Sequence, residues 1–180
     1  MKDISKSELA SILDKYDEDL ASRQKAAQKS KTEDEIFLSE FQRIRKEVIR
    51  PIMEELGTEV RTRGHEYKIE EKEETTDSEG KTSDAAIVMK VYPKDVDRME
   101  CLRTGSTPYV GFGAVRYKKK VFAYCSNIAP GRGGSSGPSV EYDVSQIVPE
   151  VAEREVVRGL THIFSRRESR FSSMGKYEEA

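Results

Sequence analysis

Along the first sixty residues, apolar positions recur with the spacing of an amphipathic helix. Closest to the N-terminus they are separated by four, three and four residues, which is the seam spacing of a coiled coil. The residues of this seam are Leu9, Leu13, Tyr16 and Leu20. The register continues to Val48, although its positions between residues 23 and 34 are mostly polar. The pattern predicts a helical extension whose seam must be buried against another surface.

Two capping boxes divide this helical region. In a capping box, a Ser or Thr and a Glu three residues later satisfy each other's free backbone N–H groups at a helix start. The two boxes are formed by Ser5 with Glu8 and by Thr32 with Glu35. We therefore expect two helices, at residues 6–29 and 33–63, joined by a bend near residues 29–31.

The second predicted helix carries the strongest apolar pattern in the chain. Its stripe consists of Phe37, Phe41, Ile44, Val48, Ile52, Leu56 and Val60, and is broadened by Ile49 and Met53. Pro51 lies inside the stripe and lacks the N–H that would bond one turn back, which predicts a kink. Gly64 is suited to the left-handed position that ends a helix.

Beyond residue 64 the period changes from helical to alternating, which predicts strands. Four strands are expected, at residues 66–74, 85–92, 108–117 and 121–128. Short connections favour an antiparallel meander, and a final helix is expected to begin near Pro149. The predicted fold class is α+β. It has long N-terminal helices with a coiled-coil-like extension, a four-stranded, mainly antiparallel sheet, and a C-terminal helix packed on that sheet.

Length and composition fit one domain with a solvated extension. The chain has 180 residues, a net charge of −2 and equal fractions of apolar and charged residues, 36% each, which is rich in charge for a compact domain. We expect a helical extension at residues 1–31, an α+β domain at residues 32–168 and a frayed polar tail at residues 169–180.

Composition and the terminal sequence also narrow the setting and the chemistry. No stretch approaches the roughly 20 apolar residues of a membrane-spanning helix, and the N-terminus shows no apolar leader segment. We therefore expect a cytoplasmic protein that contacts no membrane. Cys101 and Cys125 are expected to be free thiols, and with His65 and His162 they match no zinc-ligand spacing. We expect no metal and no cofactor, and no set of catalytic residues is identified.

The densest basic cluster lies at the predicted turn between the third and fourth strands. Its residues are Arg116, Lys118, Lys119 and Lys120, and Arg132 follows in a glycine-rich loop at residues 129–139. Cations beside aromatic residues on a sheet can hold a phosphate backbone and stack bases. Exposed lysines at a hairpin tip can instead serve to keep a sheet edge from pairing with other chains.

One segment of the predicted third strand resembles the signature of RNA-recognition domains. The segment Gly111–Tyr117 matches several glycine and aromatic positions of that signature. It departs from the signature where Val110 replaces the leading basic residue and Ala114 replaces a base-stacking aromatic residue. The strand–helix–strand order of that family is also missing. We therefore interpret the segment as an ordinary glycine-bearing strand.

These observations favour a non-enzymatic interaction or scaffold protein that self-associates or binds a protein partner through its N-terminal helices. The alternative is a nucleic-acid-binding module that uses the basic hairpin at residues 116–120 together with Arg132. A third hypothesis is an enzyme whose site, containing Cys125 or a histidine, is assembled only in space. The pattern leaves open whether the first helix folds back on the domain or pairs with another chain.

Overall fold

A computed structural model describes residues 3–79, 82–131 and 133–165, with side chains described from residue 11 onward. The α-helices are α1 (Asp3–Ile44), α2 (Arg50–Thr62), α3 (Arg98–Thr104) and α4 (Pro149–Phe164). A π-helical turn (Arg45–Ile49) joins α1 to α2 without a break. The predicted tail at residues 169–180 lies outside the described residues.

α1 runs unbroken through the predicted bend, so the division into helices at residues 6–29 and 33–63 is wrong. Thr32 does not cap a second helix, because its hydroxyl donates to the Gln28 carbonyl, 3.1 Å away and one turn earlier. Lys29 and Glu33 form an ion pair across the same turn. The Thr32 side chain is thus bonded inside a continuous helix at the point where the capping-box spacing predicted a helix start.

The N-terminal capping box also falls inside the helix. α1 begins at Asp3, so the backbone of Ser5 is already helical. The side chains of Ser5 and Glu8 lie outside the described residues, and the reciprocal bonds of this box stay a prediction.

The predicted irregularity at Pro51 takes the form of the π-helical turn just before it. Pro51 has no N–H, and its ring would clash with the carbonyl one turn earlier in a regular α-helix. The turn widens the helix here: the Arg50 N–H bonds to the Arg45 carbonyl, five residues back rather than four. One residue is thereby inserted into the apolar stripe, and Ile49 and Met53 become fully buried.

The end of α2 confirms the predicted glycine cap. Gly64 has a φ of +81°, and its N–H bonds to the Arg61 carbonyl at 2.9 Å. The His65 N–H bonds to the Val60 carbonyl at 3.3 Å, which completes a Schellman motif. This cap turns the chain directly from the long helix into the first strand.

The fold class is α+β, as predicted, with five strands in the main sheet rather than four. The strands are β1 (Glu66–Lys72), β2 (Thr75–Thr76), β3 (Thr82–Ser83), β4 (Ala85–Tyr92), β5 (Tyr109–Val115), β6 (Lys120–Ser126) and β7 (Val140–Tyr142). The main sheet is an antiparallel meander in the order β1-β4-β5-β6-β7, and β2 pairs with β3 beside it. The additional strand, β7, pairs through Val140 opposite Ala123 and Tyr142 opposite Val121.

The core lies between one face of this sheet and the helices. From the sheet it takes Ile87, Met89, Val91, Val110, Phe112, Ala114, Val121, Ala123 and Cys125. From the helices it takes Phe37, Phe41, Ile44, Ile49, Met53, Val60, Ala152, Val156 and Ile163. Two helical glycines allow close packing: a Cβ on Gly159 would lie 2.4 Å from a Val110 methyl, and one on Gly57 would lie 2.5 Å from the Tyr67 ring.

A buried arginine connects the π-helical turn to the first strand. The side chain of Arg45 is buried, and it donates to the Lys72 carbonyl at 3.0 Å and pairs with the Glu73 carboxylate. Charged groups are buried only when they are paired and hydrogen-bonded. These bonds attach the π-helical turn to the end of β1.

Candidate functional site

The long helix leaves the body of the protein as an exposed arm, which we define as residues 11–32. Every side chain in the arm is exposed, and burial resumes at Asp34 and Phe37. At about 1.5 Å per residue the arm extends roughly 33 Å from the body. The fold-back arrangement that the sequence left open is therefore absent from the structure of the described residues.

The apolar residues of the arm share one face near its outer end. Ile12, Leu13, Tyr16 and Leu20 are 65%, 52%, 63% and 42% exposed. Three of them belong to the predicted seam, and the side chain of the fourth seam residue, Leu9, lies outside the described residues. Large apolar side chains clustered on an exposed helix face are typical of a surface that another protein covers.

Charge is divided unevenly between the two halves of the arm, a feature that the sequence analysis missed. Residues 11–20 carry four acids (Asp14, Asp17, Glu18 and Asp19) and Lys15, for a net charge of −3. Residues 21–32 carry Arg23, Lys25, Lys29 and Lys31 and no acid, for a net charge of +4. Counting charge by half-helix rather than by domain would have revealed this division.

The base of the arm is attached to the β5–β6 hairpin by ion pairs. Arg116 donates through Nε to the Asp34 carboxylate at 3.2 Å and through Nη1 to Glu74 at 2.8 Å. Lys119, at the hairpin tip with a φ of +52°, pairs with Glu33, and this bond lowers the pKa of the Glu33 carboxyl. The arm therefore leaves the body in a defined direction.

These contacts use the same residues that the nucleic-acid alternative requires. Besides Arg116 and Lys119, Lys118 pairs with Glu141 at 3.0 Å and Lys120 pairs with Asp143 at 2.7 Å. The structure thus brings all four hairpin cations together but places a carboxylate on each. A phosphate backbone would have to compete with these carboxylates. Arg132, the fifth residue of that prediction, lies outside the described residues.

Of the two aromatic residues in the segment that resembles an RNA-recognition signature, Phe112 points into the core, and Tyr117 is 82% exposed beyond the end of β5. Phe112 lies in the core with none of its surface exposed, so it cannot stack on a base. On the opposite, outer face, the Tyr124 ring covers Gly111, where a Cβ would lie 2.9 Å from the ring. Burial raises the pKa of Tyr124 to about 12. The interpretation of this segment as a structural strand fits these positions.

An open hollow lies on the outer sheet face beside Tyr124. Its volume is about 570 Å³, with Ala86, Val88 and Gly113 as its floor and Lys72 and Asp84 among its lining residues. In the part of the chain that the structure describes, no three His, Cys, Asp or Glu side chains are grouped to hold a metal ion.

The glycine-rich loop after β6 is fixed to α4. The Asn127 side chain donates to the His162 carbonyl at 3.1 Å and accepts the Ser135 N–H at 2.8 Å. Gly137 packs on Cys125 so closely that a Cβ would lie 2.4 Å from its Sγ. Burial raises the pKa of the Cys125 thiol, which lowers the fraction present as the reactive thiolate. These contacts anchor the glycine-rich loop to α4 and cover the Cys125 thiol.

A buried acid on α4 was not identified from the sequence. Glu155 accepts a hydrogen bond from the Tyr142 hydroxyl at 2.6 Å and pairs with Arg158 at 2.6 Å. Burial, together with this bond, raises the pKa of Tyr142. The network attaches β7 to α4. The signal in the sequence was Tyr142, an aromatic residue between the glycine-rich loop at residues 129–139 and the final helix.

Comparison with known proteins identifies no family for this chain. No protein-family model matches this chain, and the comparisons with curated proteins and with solved structures found no match. Within residues 3–79, 82–131 and 133–165, no helix combines the length and the apolar character needed to cross a membrane.

Proposed function

We propose that this protein is a non-enzymatic interaction protein that associates with another helix through its N-terminal arm. The observation that carries the proposal is the exposed apolar face formed by Ile12, Leu13, Tyr16 and Leu20 on a helix that projects from the body. Covering such a face stabilises the complex, since burying a large apolar side chain contributes about 1.5–3 kcal/mol.

The attachment of the arm supports a role in positioning the body. α1 continues from the arm into the core at Phe37 and Phe41, and Arg116 and Lys119 hold its base by ion pairs. A partner that binds the arm would therefore set the orientation of the sheet domain as well. This is the behaviour expected of a scaffold or oligomerisation element.

Other features favour the arm over the alternatives. The hairpin cations are each paired with an acid, and Cys125 is covered by Gly137. Both cysteines are free and buried, which fits a reducing compartment such as the cytoplasm. The proposal accordingly places the interaction in the cytoplasm.

Site-specific photo-crosslinking in cells tests the proposal. A benzophenone amino acid would replace Tyr16 on the apolar face or, as a matched control, Glu18 on the opposite face of the same helix. We expect Tyr16 to crosslink to a protein helix and Glu18 to give much less product. Equal labelling at both positions, or none at either, would contradict the proposal.

A further inference from the structure

We propose that the free edge of β1 pairs with β1 of a second copy of this chain, antiparallel, about a two-fold axis through Ile69. The sheets of the two copies then continue into each other. This interface lies outside the arm and does not depend on what the arm binds. Three observations carry it: the open edge, the self-complementary charges along it, and the pairing of its inward-facing carboxylate.

The two edges of the main sheet differ. β7 has only three residues, and a very short edge strand is one of the ways in which proteins prevent edge pairing. β1 has seven residues, none of them fully buried, and among the described strands only β4 pairs with it. Alternate residues of β1 therefore direct their backbone N–H and C=O groups away from β4. After β1 the chain leaves this edge, because Glu74 pairs at 2.8 Å with Arg116, which follows β5.

Charges of opposite sign alternate along β1 on the outer face of the sheet. Tyr67 and Ile69 pack against the core, so the residues that alternate with them lie on the outer face. In chain order these are Glu66, Lys68, Glu70 and Lys72. In an antiparallel pair centred on Ile69, Glu66 lies opposite Lys72 of the second copy and Lys68 lies opposite Glu70. The two-fold axis repeats both pairings, so every charge on this face meets its opposite.

Other registers of the two strands lose this match. Centring the pair on Lys68 places two lysines together and sets Glu66 opposite Glu70. Centring it on Glu70 places two carboxylates together and sets Lys68 opposite Lys72. A parallel pair in register sets each charge beside its own copy. Like charges directly opposite each other destabilise a sheet, so the charges select the antiparallel pair centred on Ile69 over these arrangements.

Within one copy, the middle of this face carries two lysines and one acid. Lys68 lies directly opposite Lys90 of β4, and both bind the Glu70 carboxylate, at 3.0 and 2.7 Å. Lys68 thus has a lysine on one side and the open edge on the other. The second copy places the carboxylate of its own Glu70 on that open side.

The inner face of β1 does not oppose the pairing. An inward-pointing charge on an edge strand is a common obstacle to edge pairing, and Glu71 occupies such a position. Its carboxylate is bound by Arg50 at 2.7 Å and by Arg45 at 3.5 Å. Glu71 therefore enters the interface already paired. Tyr67 of the second copy lies opposite it, and the two Ile69 side chains meet at the axis.

Charge exchange in the full-length protein tests the pairing. K68E sets carboxylates opposite each other twice in each dimer, and E70K does the same with lysines. Each variant alone should therefore raise the dimer Kd at least about tenfold. Mixing the two variants restores opposite charges along the strand and should give a heterodimer with a Kd within about threefold of wild type. The measurement is sedimentation velocity over a range of concentrations, with one variant fluorescently labelled.

Two features of this experiment separate the interface from general effects of charge and folding. K68E replaces a lysine that faces Lys90 within its own chain, so a weaker dimer does not arise from a weaker fold. E153K makes a matched charge reversal on an exposed position of α4, which packs over β5 and β6. It should change the Kd less than about threefold. A mixture of K68E and E70K that stays monomeric would overturn the proposal.

Thiol crosslinking tests the position of the axis. Ile69 lies opposite its own copy, so cysteines at this position have Cβ atoms about 5 Å apart. The two copies of residue 72 lie about 20 Å apart along the strands. A short bifunctional thiol reagent should therefore crosslink I69C and give little product with K72C, since Cys101 and Cys125 are buried. Equal crosslinking at the two positions would overturn the register.

This proposal and the proposed function fail by different observations. A wild-type protein that stays monomeric at hundreds of micromolar would overturn the pairing of β1. So would a dimer that is lost in Leu13→Glu and unchanged in K68E, because the contact between copies would then lie at the arm. The crosslink at Tyr16 in cells reports on the arm alone, so its absence would overturn the proposed function and leave the dimer through β1 standing.

Discussion

The arm and the core-facing part of the same long helix carry apolar residues at the same spacing in different surroundings. Phe41 is completely buried against the sheet, whereas Leu13, four heptads earlier in the register, is 52% exposed. Both positions follow from one periodic pattern. The pattern specifies which face of a helix is apolar, and the tertiary structure decides what covers that face.

The two regions also differ in how regular the helix is. Within the arm α1 shows no break, but near the sheet the chain forms a π-helical turn at Arg45–Ile49. This turn accommodates Pro51 and brings Ile49 and Met53 into the core. Irregularity is therefore found where tertiary packing can offset its cost, and the arm has no such packing.

The largest difference in unfolding free energy is expected from truncating one apolar residue in each region. Phe41→Ala should lower the free energy of unfolding of the body by about 3–5 kcal/mol, because it leaves a cavity in the core. Leu13→Ala should change it by less than about 0.5 kcal/mol at concentrations where the protein is monomeric. The measurement is urea denaturation followed by tyrosine fluorescence, since the chain has no tryptophan.

This comparison separates an exposed arm from one that folds back. If Leu13→Ala destabilised the body as strongly as Phe41→Ala at the lowest concentrations, then Leu13 would have to pack on the body. The same result at high concentration only would instead indicate association between copies.

A smaller difference in stability is expected between substituting a glycine in α2 and substituting an alanine in the arm. Gly57→Ala improves helix propensity, but its Cβ would lie 2.5 Å from the Tyr67 ring, so overpacking should destabilise the body by about 1–3 kcal/mol. Ala27→Gly should destabilise the helix locally by about 1 kcal/mol, which lowers the helicity of the arm, and should leave the stability of the body unchanged. Tyrosine fluorescence and circular dichroism at the helix band report the two effects separately.

The double variant Gly57→Ala with Tyr67→Ala provides the control. Removing the Tyr67 ring frees the space that the new methyl needs. The double variant should therefore lose less unfolding free energy than the two single variants lose together. Full additivity would show that the ring is not the obstacle at Gly57.

Much of the fold was predictable because it depends on local pattern. The meander, the Gly64 cap and the helix at Pro149 each follow from short-range signals, and the structure confirms them. The bend at residues 29–31 was wrong because the spacing of Thr32 and Glu35 fits both a cap and a helix interior. The continuous heptad register was the better signal, since it requires the chain to stay helical.

The candidate site was predictable only in part, because exposure is a tertiary property. The seam residues Leu13, Tyr16 and Leu20 were identified from spacing alone, but their exposure required the structure. The pairing of Lys119 with Glu33 joins residues 86 positions apart, and no local pattern indicates it. β7 was missed because three residues are too few to show alternation.

The smallest effect is expected at the other end of the long helix, where the His65 ring follows its cap. Burial, together with the nearby Lys94, lowers the pKa of His65. Its Nδ1 accepts the Lys94 N–H at 3.1 Å, and its ring packs on Phe164 at 4.7 Å. Protonation would place a second donor against the Lys94 N–H, so the folded state favours the neutral ring.

The sign of the pH dependence follows from this lowered pKa. As the pH falls below about 6.5, the unfolded ring binds a proton before the folded ring does, so the free energy of unfolding decreases. His65→Asn keeps an acceptor for Lys94 and removes the titration, and should show a smaller loss of stability between about pH 7.5 and about pH 5. His162 is present in both proteins and cancels. Equal losses would mean that His65 titrates alike in both states, and that the two ends of the long helix do not differ in pH sensitivity through this residue.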